Sequence, residues 1–199
     1  MIEKKYSSET YIKPFGQYLI DNYTDRETLI GVEIGVAQGF HAMGLLTNLK
    51  NLKKLYLIDP YESYIDRRNI HYSKGNVIST MEYFRSNILD NPEFNDRYIF
   101  IRNYSKSAVV LMPNDLDFVY IDGSHNPTVV RSDIELYYPK VKSGGLFGGD
   151  DYNKMEVIEV VDEFIEEYNL KLYTQKYIVD TSKNKQGWMY NIEWWIIKE

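Results

Sequence analysis

The run Leu116 to Ile121, LDFVYI, is almost continuously β-forming and leads straight into Asp122, Gly123, Ser124 and His125. A strand that is apolar on both faces has no side to offer to water. It belongs in the middle of a parallel sheet covered by helices on both sides. Every other element of this chain has to be arranged around such a sheet.

Residues Leu29 to Gly39, LIGVEIGVAQG, supply a second strand and its turn. Val32 and Ile34 favour a strand, Gly35 and Gly39 allow a sharp turn and close approach to a bound molecule, and Ala37 to Leu46 has helical periodicity. A dinucleotide fingerprint, G-x-G-x-x-G, offers bare amides to a pyrophosphate. Here the spacing is Glu33-x-Gly35-x-x-x-Gly39. A carboxylate at the strand's end repels phosphate and suits an ammonium, so the ligand of this turn carries positive charge. S-adenosylmethionine fits. About twenty residues further on, where a ribose-binding acid is expected, Asp59 closes the strand-like run Leu55 to Ile58. Asp before Pro is also a common turn signal, and that second reading stands beside the first.

The remaining elements alternate. A helix over 15–23 precedes the first strand. The aromatic stripe that includes Tyr6 and Tyr11 is core, interface or lid. Residues 60–76 read as a long polar and aromatic loop in which Tyr61, Tyr64, Arg67, Arg68 and His71 are candidates to cover cofactor or substrate, with a solvated loop as the alternative. A helix over 77–89, a strand over 98–101 and a helix capped by Ser105 follow. Residues 128–142 predict a helix with Val129, Val130, Ile134, Tyr137 and Tyr138 inward, stopped by Ser143-Gly144-Gly145. Leu146-Phe147 begins a short strand that ends at Gly148-Gly149-Asp150-Asp151-Tyr152, and a helix spans 155–168. The tail supplies an antiparallel pair over 172–179 and 192–197, around a second candidate covering loop at 180–190.

Together these give an open α/β sheet with an antiparallel end, in which ligands bind beyond the carboxyl ends of the strands. Glu33, Asp59, Asp122, Asp150 and Asp151 each close a predicted strand there. Composition narrows the class. A chain of 199 residues, 44% hydrophobic and without cysteine, matches one globular domain with no thiolate chemistry; 1–199 is read as that domain, with 1–28 an N-terminal helical segment. No signal peptide or membrane-length apolar run is visible, so a cytoplasmic protein is expected. A net charge of -6 argues against a nucleic-acid partner and for a small-molecule acceptor. A homodimer is left open.

These blocks carry a resemblance. VEIGVAQG, LYLIDPY and the long FVYIDGSHNPTVVRSDIELYYPKVKSGGLFGGDDY make the chain similar, from Leu29 to Ile197, to class I S-adenosylmethionine-dependent methyltransferases, and within them to the macrocin and cephamycin O-methyltransferase-like group. The resemblance implies a Rossmann-like seven-stranded, mostly parallel sheet with helices on both faces and an antiparallel last strand. It implies cofactor contacts from Glu33, Gly35, Gly39, Asp59, Ser105 and Asp122. It aligns Asp122, Asp150 and Asp151 with metal ligands, and His125 with a catalytic Lys or His. The short N-terminus departs from the antibiotic-modifying relatives.

The chemistry of these residue types is coherent. A hydroxyl near its ordinary acidity is a poor nucleophile towards a sulfonium methyl group, and three carboxylates without a thiolate form a hard-oxygen set suited to Mg²⁺ or Mn²⁺, which can activate it. His125 can take the proton. The competing readings are helix capping for Asp150 and Asp151, a turn residue for Asp122, and a locally bonded turn histidine for His125. The expected activity is O-methylation of a small polyhydroxylated molecule, sugar-like or catechol-like. The alternatives are a non-catalytic S-adenosylmethionine-binding protein and a metal-independent methyltransferase of another acceptor. IDGSH where base-modifying enzymes carry N/D-P-P-Y/F, and the missing N-terminal strand domain of aminopropyltransferases, argue against those classes.

Overall fold

A computed structural model describes residues 12–65, 71–72, 74–180 and 188–199. Its helices are α1 (Pro14–Tyr23), α2 (Phe40–Asn48), α3 (Lys74–Phe84), α4 (Ser105–Ala108), α5 (Pro127–Tyr137) and α6 (Met155–Tyr168). Its strands are β1 (Leu29–Ile34), β2 (Leu52–Ile58), β3 (Tyr64–Ile65), β4 (His71–Tyr72), β5 (Tyr98–Ile101), β6 (Leu116–Ile121), β7 (Val141–Gly149), β8 (Tyr173–Asp180) and β9 (Trp188–Ile197).

Seven strands form one sheet in the order β5-β2-β1-β6-β7-β9-β8, and β9 alone is reversed, antiparallel to both β7 and β8. β6 lies at the centre with all six residues buried, as a two-faced apolar strand requires. Its alternation divides the core. Phe118 and Tyr120 join Phe15, Leu19, Leu45, Leu57 and Trp195 on the α1–α2 face. Val119 and Ile121 join Val130, Ile134, Val161, Phe147 and Trp194 on the α5–α6 face. β3 and β4 form a separate short antiparallel ladder within the 60–76 segment.

Several boundaries differ from the sequence expectation. The helix expected over 128–142 ends at Tyr137 and passes into a single 3-10 turn over Tyr138–Lys140, where Pro139 has no amide to donate to a continuing α-helix. β7 therefore starts at Val141, and Ser143-Gly144-Gly145 lies inside this strand rather than stopping a helix. Val129 is exposed, whereas Val130, Ile134 and Tyr137 are buried. β9 starts at Trp188, four residues before the expected 192. Tyr6, Tyr11, Arg67 and Arg68 lie outside the described residues, as do 181–187 of the second covering loop. Among the described residues, no helix is long and apolar enough to cross a membrane.

Candidate active site

The register of the sheet brings the strand-end residues level. Ile58, Ile34, Ile121 and Gly149 are successive partners across β2, β1, β6 and β7, so Asp59, Gly35, Asp122 and Asp150 form the next row along one edge. The ladder continues into this row through Gly35 N–H to Ile58 O (2.9 Å), Asp122 N–H to Ile34 O (2.8 Å) and Asp150 N–H to Ile121 O (3.0 Å). Three non-glycine residues adopt left-handed backbone just beyond it, Ala37 (φ 46°), Tyr61 (φ 46°) and Asp151 (φ 64°). Such conformations are costly and persist where surrounding contacts hold them.

Gly35 has φ 84°, and a Cβ there would sit 2.1 Å from the Asp122 carbonyl oxygen. The glycine is required because the backbone after β6 passes directly over the β1 turn. Gly39 (φ 78°) is the N-cap of α2, and its missing side chain makes room for Phe84 and Ile88. Asp59 braces the same turn. Its Oδ2 accepts the amides of Val36 and Ala37 (3.0 Å each) and its Oδ1 that of Tyr61 (2.8 Å). Tyr61, expected as a cover for ligand, is buried against Phe84 and Phe100 and donates its hydroxyl to Ala37 O (2.5 Å).

Glu33 is placed differently from the expectation that it answers a cationic ligand. It is 1% exposed, inside the protein, with Oε2 3.3 Å from His41 Nδ1. Burial, opposed by the charge of Lys13, pushes its carboxyl up to about 8, and burial followed by the same charge pushes His41 well below its ordinary range. Burial thus favours the uncharged form of both groups. Ser105 is not a cap. The N-cap of α4 is Tyr104, while Ser105 Oγ donates to Asp133 (2.5 Å), a buried acid that burial raises to about 6 against the pull of that bond. Ser105 thus ties α4 to α5.

His125 and the three aspartates do come together. A small cleft is lined by Asp122, Ser124, His125 and Asp151, with Val130 and Val157 as an apolar wall. The His125 side chain is 40% exposed, and its Nε2 lies 2.5 Å from Asp151 Oδ2. Lys154 Nζ lies 2.8 Å from the other oxygen of Asp151 and 2.9 Å from His125 Nε2. Burial opposes ionisation of Asp151, but the hydrogen bonds and charges of His125 and Lys154 outweigh it and hold the carboxyl well below its ordinary range. In the tautomer protonated at Nε2, the ring donates a hydrogen bond to the ionised Asp151 and Nδ1 is its basic nitrogen.

Lys13, Tyr120, Tyr177, Asn191 and Glu193 complete the site; of these, only Tyr120 falls within a sequence block quoted above. Lys13, the N-cap of α1, is 7% exposed. Its Nζ lies 2.7 Å from Asp122 Oδ2, 2.7 Å from Asp150 Oδ2 and 2.9 Å from Tyr120 Oη. Tyr120 donates to Glu193, whose other oxygen accepts the Phe15 amide (2.7 Å) in the first turn of α1. The one available signal for Lys13 is a lysine beside Ile12 and Phe15 in an otherwise apolar stripe.

These contacts bear on the expected Mg²⁺ or Mn²⁺. Asp150 already accepts four hydrogen bonds, from Lys13, Tyr177, Asn191 and the Asp151 amide. A carboxylate has about four acceptor positions, so none is left. Asp151 faces His125, Lys154 and Asn191. Among the described residues, no three His, Asp or Glu side chains are grouped to hold a metal ion. As arranged, the three aspartates do not fit a divalent cation: protein donors already engage both oxygens of Asp150 and of Asp151, and the Lys13 ammonium stands between Asp150 and Asp122 Oδ2.

A sheet of this order, with one reversed strand and a glycine turn after its first strand, defines a Rossmann-like methyltransferase-type domain. Solved structures share it. The chain is similar to an O-methyltransferase from Bacillus cereus solved with SAH (TM-score 0.61, 15% identity, 95% of this chain and 83% of that one). It is also similar to TomG from Streptomyces achromogenes, solved with SAM (TM-score 0.60, 13% identity, 94% and 80%), and to the O-methyltransferase NovP (TM-score 0.66, 19% identity, 93% and 78%). At these identities the likeness is one of fold. An uncharacterized protein of Acanthamoeba polyphaga mimivirus is 29% identical over 136 residues, a match covering 66% of this chain and 55% of that protein. The family model described as a methyltransferase domain matches residues 32–152, and the chain belongs to that family.

Proposed function

We propose that the chain transfers the methyl group of S-adenosylmethionine to a hydroxyl of a small polyhydroxylated molecule, sugar-like or catechol-like. The observation that carries this reading is the exposed His125, bonded through Nε2 to Asp151 at the end of the row formed by Asp59, Gly35 and Asp122. Gly35 and Asp59 would hold the adenosine side of the cofactor and Asp122 would lie towards its reactive end; when bound, the cofactor would supply an activated methyl group. His125 Nδ1 removes the hydroxyl proton as the oxygen lone pair attacks the methyl carbon. The C–S bonding pair leaves on sulfur, giving S-adenosylhomocysteine and a methyl ether. Imidazole is suited to this step because it changes charge near neutral pH. With the oxygens of Asp150 and Asp151 engaged by protein donors, no step of this reading runs through Mg²⁺ or Mn²⁺.

Calorimetric titration with S-adenosylmethionine, followed by screening of labelled methyl transfer to sugars and catechols, tests it. Binding followed by transfer to oxygen is expected. Binding without transfer to any acceptor would favour a non-catalytic cofactor-binding protein, and no binding by the folded chain would sink the reading.

A further inference from the structure

A buried lysine with no motif around it needs a physical reason. Lys13 Nζ carries three N–H donors, and its three neighbours, Asp122, Asp150 and Tyr120, take all of them. Nothing is left to donate to a substrate. Asp122 and Asp150 come from the ends of two adjacent strands at the same level, where two carboxylates facing each other repel unless a cation stands between them. The same ammonium also lies 5.2 Å from the ring centre of Tyr120 and 5.9 Å from that of Tyr177. Both ends of the arrangement are anchored. Pro14 starts α1 directly after Lys13, and the buried Glu193 of β9 holds the Phe15 amide.

A divalent ion in this position would need several oxygen ligands at short range, near-octahedral for Mg²⁺. It would have to displace the ammonium and break bonds from Tyr177 and Asn191 to Asp150. The ammonium instead uses the two carboxylates as they stand.

We infer that Lys13 is the resident cation of this site, occupying the place between Asp122 and Asp150 where a divalent ion would otherwise bind, so that the chain excludes such an ion there. That methyl transfer then proceeds without an added metal rests on the function proposed above; the exclusion of the ion does not. Lys13 is a positioning residue in this account. It fixes Asp122 and Asp150 at the edge of the cleft, while the proton is left to His125.

The test is titration of the full chain with Mn²⁺ alone, followed by the electron paramagnetic resonance signal of the free ion. The wild-type protein should leave that signal undiminished. Lys13→Met and Lys13→Gln, which remove the charge and keep much of the bulk, should bind Mn²⁺ at least tenfold more tightly. Lys13→Arg should exclude it like the wild type. Stoichiometric Mn²⁺ binding by the wild type that Asp122→Asn abolishes would overturn the inference, and so would folded Met and Gln variants that take up no Mn²⁺. Should neither variant fold, the wild-type titration and its Asp122→Asn control decide by themselves. S-adenosylmethionine titrated into the same samples reads the methyltransferase assignment separately, since its failure to bind would remove that assignment and leave the Mn²⁺ result standing.

Discussion

His125 Nε2 and Asp151 Oδ2 lie 2.5 Å apart across 26 residues of sequence, joining the turn after β6 to the turn after β7. In the tautomer that donates from Nε2 to Asp151, Nδ1 is the base, and the pairing makes two substitutions informative. His125→Gln should lower turnover by roughly a hundredfold or more with cofactor affinity unchanged, because it removes the base and nothing that touches the adenosine side. Asp151→Asn should lower turnover as well, by releasing the ring from its tautomer. Steady-state kinetics beside calorimetry separate the two effects; full activity in His125→Gln would remove the residue from the chemistry.

Asp59→Ala should weaken S-adenosylmethionine binding by roughly 1 to 3 kcal/mol, since it takes away a charged acceptor and leaves amides of Val36, Ala37 and Tyr61 without their partner. The same loss should lower the unfolding midpoint. An unaltered dissociation constant in the folded variant would confine Asp59 to bracing the turn.

For Gly35→Ala, a Cβ 2.1 Å from a backbone oxygen at φ 84° cannot be absorbed by moving a side chain. We expect a loss of several kcal/mol in denaturant unfolding, on the order of a severe core substitution. A variant of wild-type stability would mean that the β6 turn yields readily.

Stability should depend on Glu33. Its carboxyl, pushed up to about 8 by burial, keeps a proton that the unfolded chain gives up near the ordinary value of 4.5. Between those values the folded state binds more protons, so this contribution is full below about pH 4.5, declines with rising pH and is lost above about pH 8. Glu33→Gln should remove up to a few kcal/mol of that decline, read as a flatter unfolding midpoint between about pH 4.5 and pH 8. The depressed carboxyl of Asp151 works in the opposite sense, stabilising above the ordinary value of 3.8 and losing this as the pH falls towards its folded value. An equally steep profile in Glu33→Gln would locate the dependence elsewhere.

Ser105→Ala should leave cofactor affinity unchanged while costing about 1 to 3 kcal/mol of stability, because the buried Asp133 loses its hydroxyl partner. A tenfold fall in affinity would return Ser105 to the cofactor site.

What the sequence determined by itself is whatever local pattern determines. The two-faced apolar run of β6 required a central strand, glycines at 35 and 39 required a turn after β1, and the period of 155–168 required the helix observed. Strand-end acids followed, since parallel strands place all their carboxyl ends at one edge of the sheet. Tertiary structure alone decided where each acid points and what meets it. Glu33 faces the interior because the pleat turns it towards His41, and Ser105 is claimed by Asp133 across the α4–α5 contact. Lys13 reaches Asp122 over 109 residues and Asp150 over 137. No periodicity records such a meeting. It exists because helix packing and strand register bring the groups within hydrogen-bond reach, and a buried charge is tolerated only where opposite charges receive it.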